Sequence, residues 1–342
     1  MKKLLNTLYI VTPECYLSLD GNNIVQLVEG KENFRMPFVN LERIVCFNFL
    51  GVSPALMEKC AAENISLNFM SPYGKFLASI TGPTKGNVTL RRSQYRIADD
   101  ASAALNVAKN MVAAKLKNSA YVLCRAIRDY GERIDTARLE STAKLLKSNI
   151  QTAFNSPSAD VLRGIEGESA RMYFMAFDDM ILNMSPLFRF NGRERRPPTD
   201  NVNAMLSFMY TILALEIKSA LECVGLDPYV GFYHTDRSGR YSLALDMIEE
   251  LRAPVADRFV LSLINMKQVK EDDFLQKEGG AVLMTDDGRK KILQAWQKKK
   301  DEVIEHPHIN EKIKIGLIPY VQAQLMANYV RGDTDEYLAY LK

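Results

Sequence analysis

The chain has 342 residues, 47% of them hydrophobic and 25% charged, which supplies a sizeable core and excludes collagen-like, low-complexity and disordered classes. At about 100 to 200 residues per domain, the length fits one large domain or two. Forty-four Lys and Arg against 41 Asp and Glu leave a net charge of +3, too little to identify a nucleic-acid partner without local clusters. The first segment, MKKLLNTLYIV, imitates a signal peptide. Its apolar stretch carries Asn6 and Thr7 and runs into Pro13-Glu14 with no small-residue cleavage site, so it reads as a strand over Leu4–Val11. Further short β-type runs follow at Tyr16–Leu19, Ile24–Val28, Phe34–Phe38, Arg43–Phe49, Ile65–Phe69 and Lys75–Ile80. Asp20-Gly21-Asn22-Asn23 is a hairpin turn by composition. One helix interrupts the strands, with Ser53 as N-cap and Pro54 at its first position, and reaches Asn64.

Residues 81–87, Thr-Gly-Pro-Thr-Lys-Gly-Asn, form a linker, after which the pattern takes the helical period. Helices are expected over 99–130, 136–150, 160–184, 201–224, 242–252, 254–268, 287–306 and 311–331, with a short hairpin near 274–284 turning at Glu278-Gly279-Gly280. In the first helix Ala104, Val107, Ala108, Met111, Val112, Lys115, Leu116 and Ser119 recur at spacings of three and four. The expected class is therefore α+β: a β-rich domain over 1–85 followed by an all-α domain over 86–342. No run approaches 18 consecutive apolar residues, so no membrane-spanning helix and no membrane partner are expected. The nearest cysteines, Cys46 and Cys60, are 14 residues apart, which excludes CxxC motifs and points to a reduced, cytoplasmic protein.

Three groups of residues could carry chemistry. In helix 160–184, Glu166 steps by four, seven and eleven to Ala170, Tyr173 and Phe177, a line expected to face inward. A carboxylate there must be paired or bind a cation. The run Met172 to Phe177 suggests a central, buried helix, and Gly164 and Gly167 suggest close approach to its backbone. Glu168 is a weaker candidate on the same helix. The second group is His234 followed by Asp246 and Glu249, three apart on one helix, which repel unless a cation or Arg lies between them. One imidazole with two or three carboxylates suits Mg²⁺ or Mn²⁺ better than structural zinc. His306-Pro307-His308 is a rival metal pair without a carboxylate-rich face. The third group is basic: Arg193, Arg195 and Arg196 within 189–196; Arg91, Arg92 and Arg96 with Tyr95; and Lys290, Lys291 and Lys298 to Lys300. Such clusters bind phosphate backbones or are merely solvated faces. No phosphate-cradling loop and no nucleophile elbow is present.

Taken together, these stretches resemble a known family. Gly164-Ile165-Glu166-Gly167 with Ala170 and Tyr173, Arg193 through Pro198 leading to Asp200, Asn203 and Tyr210, Gly225-Leu226-Asp227-Pro228 through His234, and Ser242 to Arg252 are similar to the CRISPR-associated spacer-acquisition endonuclease and integrase, numbered one in the Cas series. The segments Leu-Tyr-Ile-Val-Thr-Pro-Glu and Tyr-Leu-Ser-Leu-Asp-Gly look like its subtype I-C branch. The resemblance implies that Glu166, His234 and Glu249 bind a divalent metal, with Asp246 as a supporting carboxylate. The family often has Asp where this chain has Glu249, which lengthens that ligand. The resemblance also implies a homodimer, a partnership with the small protein numbered two in the Cas series, and action on DNA.

The implied reaction is phosphoryl transfer, in which the 3′-OH of a double-stranded fragment attacks a phosphodiester of repeat DNA. Arg91, Arg92, Arg193, Arg195 and Arg196 would hold the DNA backbone, with affinity falling as salt rises. A plain metal-dependent DNase uses the same site, and a non-catalytic DNA-binding scaffold would pair the acids internally.

Overall fold

The computed structural model describes residues 6–39, 41–47, 50–71, 76–80, 82, 88–183, 185–194 and 197–342. Two units divide the chain: 1–85 with 284–302, and 86–283 with 303–342. The first boundary falls in the expected linker, of which Gly82 alone is described. The segment 284–302 is a departure, since a helix expected in the second domain belongs to the first.

Strands build the first unit. They are β1 (Asn6–Ile10), β2 (Cys15–Asp20), β3 (Asn23–Val28), β4 (Lys31–Pro37), β5 (Leu41–Cys46), β6 (Gly51–Val52), β7 (Ser66–Met70) and β8 (Phe76–Ile80), with α1 (Pro54–Ala62) before β7. The ends of the expected strands at Leu4, Phe49 and Lys75 lie outside the described residues. One sheet runs β1-β5-β7-β8 and the other β4-β3-β2-β6. In the first, β1, β5 and β7 are parallel and β8 returns antiparallel. In the second, β2, β3 and β4 form an antiparallel meander, with the turn at Gly21 taking positive φ. Leu17, Ile24, Ile44, Leu67, Leu56 and Cys60 share one core, and Ser53 caps α1 by accepting from the Leu56 N–H as its sequence predicts.

Helix dominates the second unit and makes up 56% of the described residues, so the protein is α+β with a β-rich N-terminal region. In order come α2 (Val88–Asp99), α3 (Ala101–Tyr130), α4 (Thr136–Phe154), α5 (Ala159–Met175), α6 (Asn201–Val224), α7 (Ser242–Leu251) and α8 (Arg258–Asn265). Then follow β9 (Phe274–Gln276), β10 (Val282–Met284), α9 (Asp286–Asp301, in the first unit), β11 (Val303–Glu305), β12 (Lys312–Lys314) and α10 (Ile318–Arg331). The helix expected over 99–130 is α3, and α2 precedes it as a helix the sequence reading lacked; Asp100 leaves the helical conformation between them and caps α3 through the N–H groups of Ser102 and Ala103. Between α7 and α8 the chain makes a π-helical segment, Arg252–Asp257, around Pro254. A Pro cannot donate the i to i−4 bond, and the wider turn accommodates it.

α3 is the spine of this unit. All eight residues of its predicted stripe are buried, and Ala113, Ala114 and Asn118 beside them are buried as well. α6 is apolar and long enough to cross a membrane by composition, but 83% of its most apolar window is buried inside the protein, which makes it a core helix. α5 corrects an expectation: it is amphipathic rather than centrally buried. Tyr173, Phe174 and Phe177 face the core while Arg163, Gly164, Gly167, Glu168 and Arg171 are exposed. A side chain added at either glycine would meet nothing within 4 Å, so among the described residues no neighbouring part of the chain presses on this backbone.

That open face sets the first prediction. Gly164→Ala and Gly167→Ala should each stabilise the protein by about 0.5–1 kcal/mol, because glycine loses the most backbone freedom in a helix interior. Chemical denaturation midpoints check it, and a lower midpoint in either variant would refute it.

Candidate active site

Asp246 on α7 is fully buried, and its carboxylate gathers the loop before the helix. Oδ2 accepts from the Phe232 and Tyr233 N–H groups at 2.7 and 3.0 Å. Oδ1 accepts from the His234 N–H at 2.8 Å and stands 2.6 Å from His234 Nδ1. An ionised carboxylate can only accept, so Nδ1 carries the proton, and Nε2 is left with its lone pair. Gly231 makes the approach possible: a Cβ there would lie 2.7 Å from Asp246 Oδ2 and 2.9 Å from Ser242 Cβ. Asp246 therefore orients His234 rather than presenting a free ligand, the arrangement that fixes a metal-binding imidazole.

Glu249 lies one turn further on α7 and is 5% exposed. The two acids of this helix have no cation between them, since each has found its own partners. Glu249 Oε2 is 2.7 Å from Lys115 Nζ of α3, and Oε1 is 3.1 Å from Arg252 Nη2. Burial alone would raise its pKa, but Arg252 and Lys115 outweigh that and hold the carboxyl well below the ordinary range, at about 2. Glu166 of α5 also meets the Lys115 ammonium. One ammonium thus bridges the two carboxylates predicted from sequence. Arg252 in turn lies over the Tyr210 ring, 4.9 Å from its centroid.

Glu166, His234 and Glu249 were expected to converge on one point. The structure joins Glu166 to Glu249 through Lys115 and His234 to Asp246. Among the described residues no three His, Cys, Asp or Glu side chains are grouped closely enough to hold an ion. The Lys115 ammonium takes the position between the two carboxylates. As donors the residues nonetheless fit a hard dication, with two carboxylates around a position already filled by positive charge and an imidazole whose tautomer leaves Nε2 available. At His234 a groove of about 470 Å³ is lined by Tyr95, Asp99, Arg163 and residues 230–236. Arg163 donates to the Tyr233 carbonyl at 3.2 Å on its wall.

The other candidates fall outside this cluster. Glu168 is exposed and bidentate with Arg171 of its own helix. His306 is fully buried, and burial pushes its pKa down to about 4. His308 Nε2 donates to the Ala339 carbonyl at 2.7 Å, so the pair secures the C-terminal tail. Arg193 is turned inward, donating to Asn203 Oδ1 at 2.7 Å and Ser207 Oγ at 2.9 Å, with Tyr210 at 5.3 Å. Half-buried, it braces a loop. Arg195 and Arg196 lie outside the described residues. Arg92 and Arg96 are exposed on α2 and Arg91 is half-buried. Of the third cluster, Lys290, Lys291 and Lys298 are exposed, whereas Lys300 is buried over the Tyr9 ring.

Four residues escaped the sequence reading: Lys115, Arg252, Glu250 and Asn118. The signal for Lys115 was present, a cation within an apolar stripe that had to be paired. Glu250, also fully buried, accepts from Tyr337 Oη at 2.7 Å, Gln322 Nε2 at 3.0 Å and the Tyr340 N–H at 2.9 Å. Asn118 donates to the carbonyls of Glu250 and Tyr340 at 2.7 and 2.8 Å. The tail, α7 and α3 are thereby fastened together beside the acids.

Solved structures share this fold. A casposase bound to integration product superposes with a TM-score of 0.82 at 22% identity, over 97% of this chain and 92% of that one. A Cas6-RT-Cas1–Cas2 complex gives 0.82 at 20% identity, over 100% of this chain and 37% of that one. In sequence, a CRISPR-associated endonuclease Cas1 of Chlorobaculum tepidum is 45% identical over 337 residues, 98% of each chain. Residues 8–298 match the family of CRISPR-associated protein Cas1. The chain belongs to the Cas1 family.

Two predictions follow from the buried carboxylates. Gly231→Ala should cost about 1–3 kcal/mol, the usual scale for forcing an extra group into a packed site, and thermal unfolding reads it; an unchanged midpoint would contradict the cradle geometry. Burial pushes the Glu250 carboxyl up to about 7 despite its three donors. A raised folded-state pKa contributes stability that is full below the ordinary value near 4.5 and is lost as pH rises through about 7. Denaturation at about pH 5 and pH 8 should therefore show a fall in stability that Glu250→Gln reduces.

Proposed function

We propose that this Cas1-family chain is a divalent-metal-dependent DNA endonuclease and integrase, which inserts new spacer DNA into a CRISPR repeat array. The observation that carries the reading is the pair of inward carboxylates, Glu166 and Glu249, beside an imidazole whose Nδ1 is already committed to Asp246. Glu166, Glu249 and Nε2 of His234 would hold Mg²⁺ or Mn²⁺. A bound ion of this kind activates the attacking hydroxyl and neutralises charge developing on the phosphate.

The residues do the remaining work by position. The 3′-OH of the incoming fragment forms a new bond to phosphorus at the repeat edge, and the bond from phosphorus to the old 3′-oxygen breaks to release a 3′-OH. Asp246 keeps the imidazole in the orientation and tautomer that a ligand requires. The groove beside His234 has the volume to receive a nucleotide flanking the scissile phosphate, and the exposed Arg92 and Arg96 of α2 offer phosphate contacts in the same unit. The exposed glycines of α5 leave its backbone open next to Glu166. The curated relative's description as an endonuclease supports cleavage chemistry, and the casposase fold captured with an integration product supports strand transfer. A homodimer, the Cas2 protein as partner, a cytoplasmic location and the subtype I-C branch complete this reading.

An integration assay on supercoiled plasmid tests it, with Cas2 and with Mg²⁺ or Mn²⁺ present or withheld. Joining should require the ion, and Glu166→Ala or His234→Ala should lower its rate by about 10²-fold or more, while His308→Ala leaves the ion dependence intact. Full activity of His234→Ala would sink the assignment.

A further inference from the structure

We propose that Lys115 is the resident counter-ion of the acidic pair: its ammonium holds Glu166 and Glu249 together before a divalent cation binds and withdraws when the cation enters. The inference rests on the metal-site reading above and assigns a role to a residue outside the donor set.

Three observations carry it. Lys115 sits in the apolar stripe of α3 with its side chain 9% exposed, and its ion pairs are with Glu166 and Glu249. A buried ammonium is tolerated only when paired in this way. Secondly, the cluster balances as it stands, because Lys115 and Arg252 offset Glu166 and Glu249 in formal charge. A dication placed between the same carboxylates beside an unmoved ammonium would bring like charges together in a poorly screened interior. Arg252 is fixed over the Tyr210 ring on the far oxygen of Glu249, which leaves Lys115, on its flexible stem, as the cation able to move. Thirdly, there is somewhere to go. A cavity of about 20 Å³, roughly the room of one water, is lined by Lys115 together with Ser119, Ser169, Tyr173, Asp257 and Arg252; the hydroxyls and the Asp257 carboxylate supply oxygen acceptors for a displaced ammonium, and that carboxylate offsets the neighbouring guanidinium.

The arrangement makes metal binding an exchange of one cation for another rather than the filling of an empty cage. Removing the resident cation should therefore tighten metal binding. Its loss should also weaken the metal-free protein, because half-buried Glu166 and buried Glu249 would face each other with Arg252 alone to offset them.

Mn²⁺ titration of the full chain, with free Mn²⁺ followed by electron paramagnetic resonance, tests this on wild type, Lys115→Met and Glu166→Gln. Methionine keeps the length of the stem and suits the apolar stripe. Lys115→Met should bind Mn²⁺ at least about tenfold tighter, within the range over which residues around a metal site alter affinity, and Glu166→Gln should lose the site. Equal or weaker binding by Lys115→Met, with binding lost in Glu166→Gln, overturns the counter-ion role and leaves the metal site standing. Wild-type binding by Glu166→Gln overturns the metal-site reading and this inference with it. Should Lys115→Met fail to fold, Lys115→Gln carries the same test through melting temperature. It should melt lower than wild type in EDTA and gain more from Mn²⁺, and an equal gain would refute the proposal.

Discussion

A carboxylate with no access to water must find every one of its hydrogen bonds inside the protein, and Asp246 finds its own on three consecutive residues of one loop. That requirement ties the stretch 230–234 to the first turns of α7 and dictates glycine at 231, where any side chain would collide with the carboxylate. It also settles which nitrogen of His234 faces outward. The orientation of the imidazole, the entrance to the groove and the placement of Glu249 a turn later on the same helix all descend from this single buried acid.

A second layer of constraint fixes α7 against its neighbours. Glu249 and Glu250 are adjacent in sequence, so they project from different sides of the helix, and both are buried. Glu249 turns to the basic pair of Lys115 and Arg252, and Glu250 to Tyr337, Gln322 and the tail backbone. α3 serves both sides at once, with Lys115 toward the acids and Asn118, nearly a turn later, toward the tail. The outcomes differ in kind. Glu249 is held ionised by neighbouring cations, whereas Glu250 has neutral donors only and its carboxyl is pushed toward the protonated form by burial. Identical side chains thus acquire opposite electrostatic characters from their surroundings.

Much of this was legible in the sequence wherever the information was local. The Ser53-Pro54 cap, the Gly21 turn and the α3 stripe depend on spacings of a few residues, and the structure shows each of them; the line from Glu166 holds in part, with Glu166 and Ala170 half-buried, Tyr173 buried and Phe177 past the end of α5. The reading went astray where an apolar run had to be interpreted without its neighbours. Met172 to Phe177 implied a helix buried all round, but the residues before it, with their exposed Arg and Gly, show a single covered face. The clustered arginines of 189–196 looked like one basic surface, yet Arg193 found Asn203, Ser207 and Tyr210 on the following helix. A charge run shows which side chains are cationic without showing where they point.

The sequence by itself determined the α+β class, the change from strand to helix near residue 85 and the family, and it singled out Glu166, His234, Asp246 and Glu249 as candidates, because these follow from periodicity or from short motifs. Only the tertiary structure decided what these four touch. Lys115 lies 51 residues from Glu166 in the chain and Tyr337 lies 87 from Glu250. No local spacing encodes such pairs. They form because a buried charge or hydrogen-bonding group must be matched by whatever the packing of distant helices brings beside it, and that packing is a property of the whole unit.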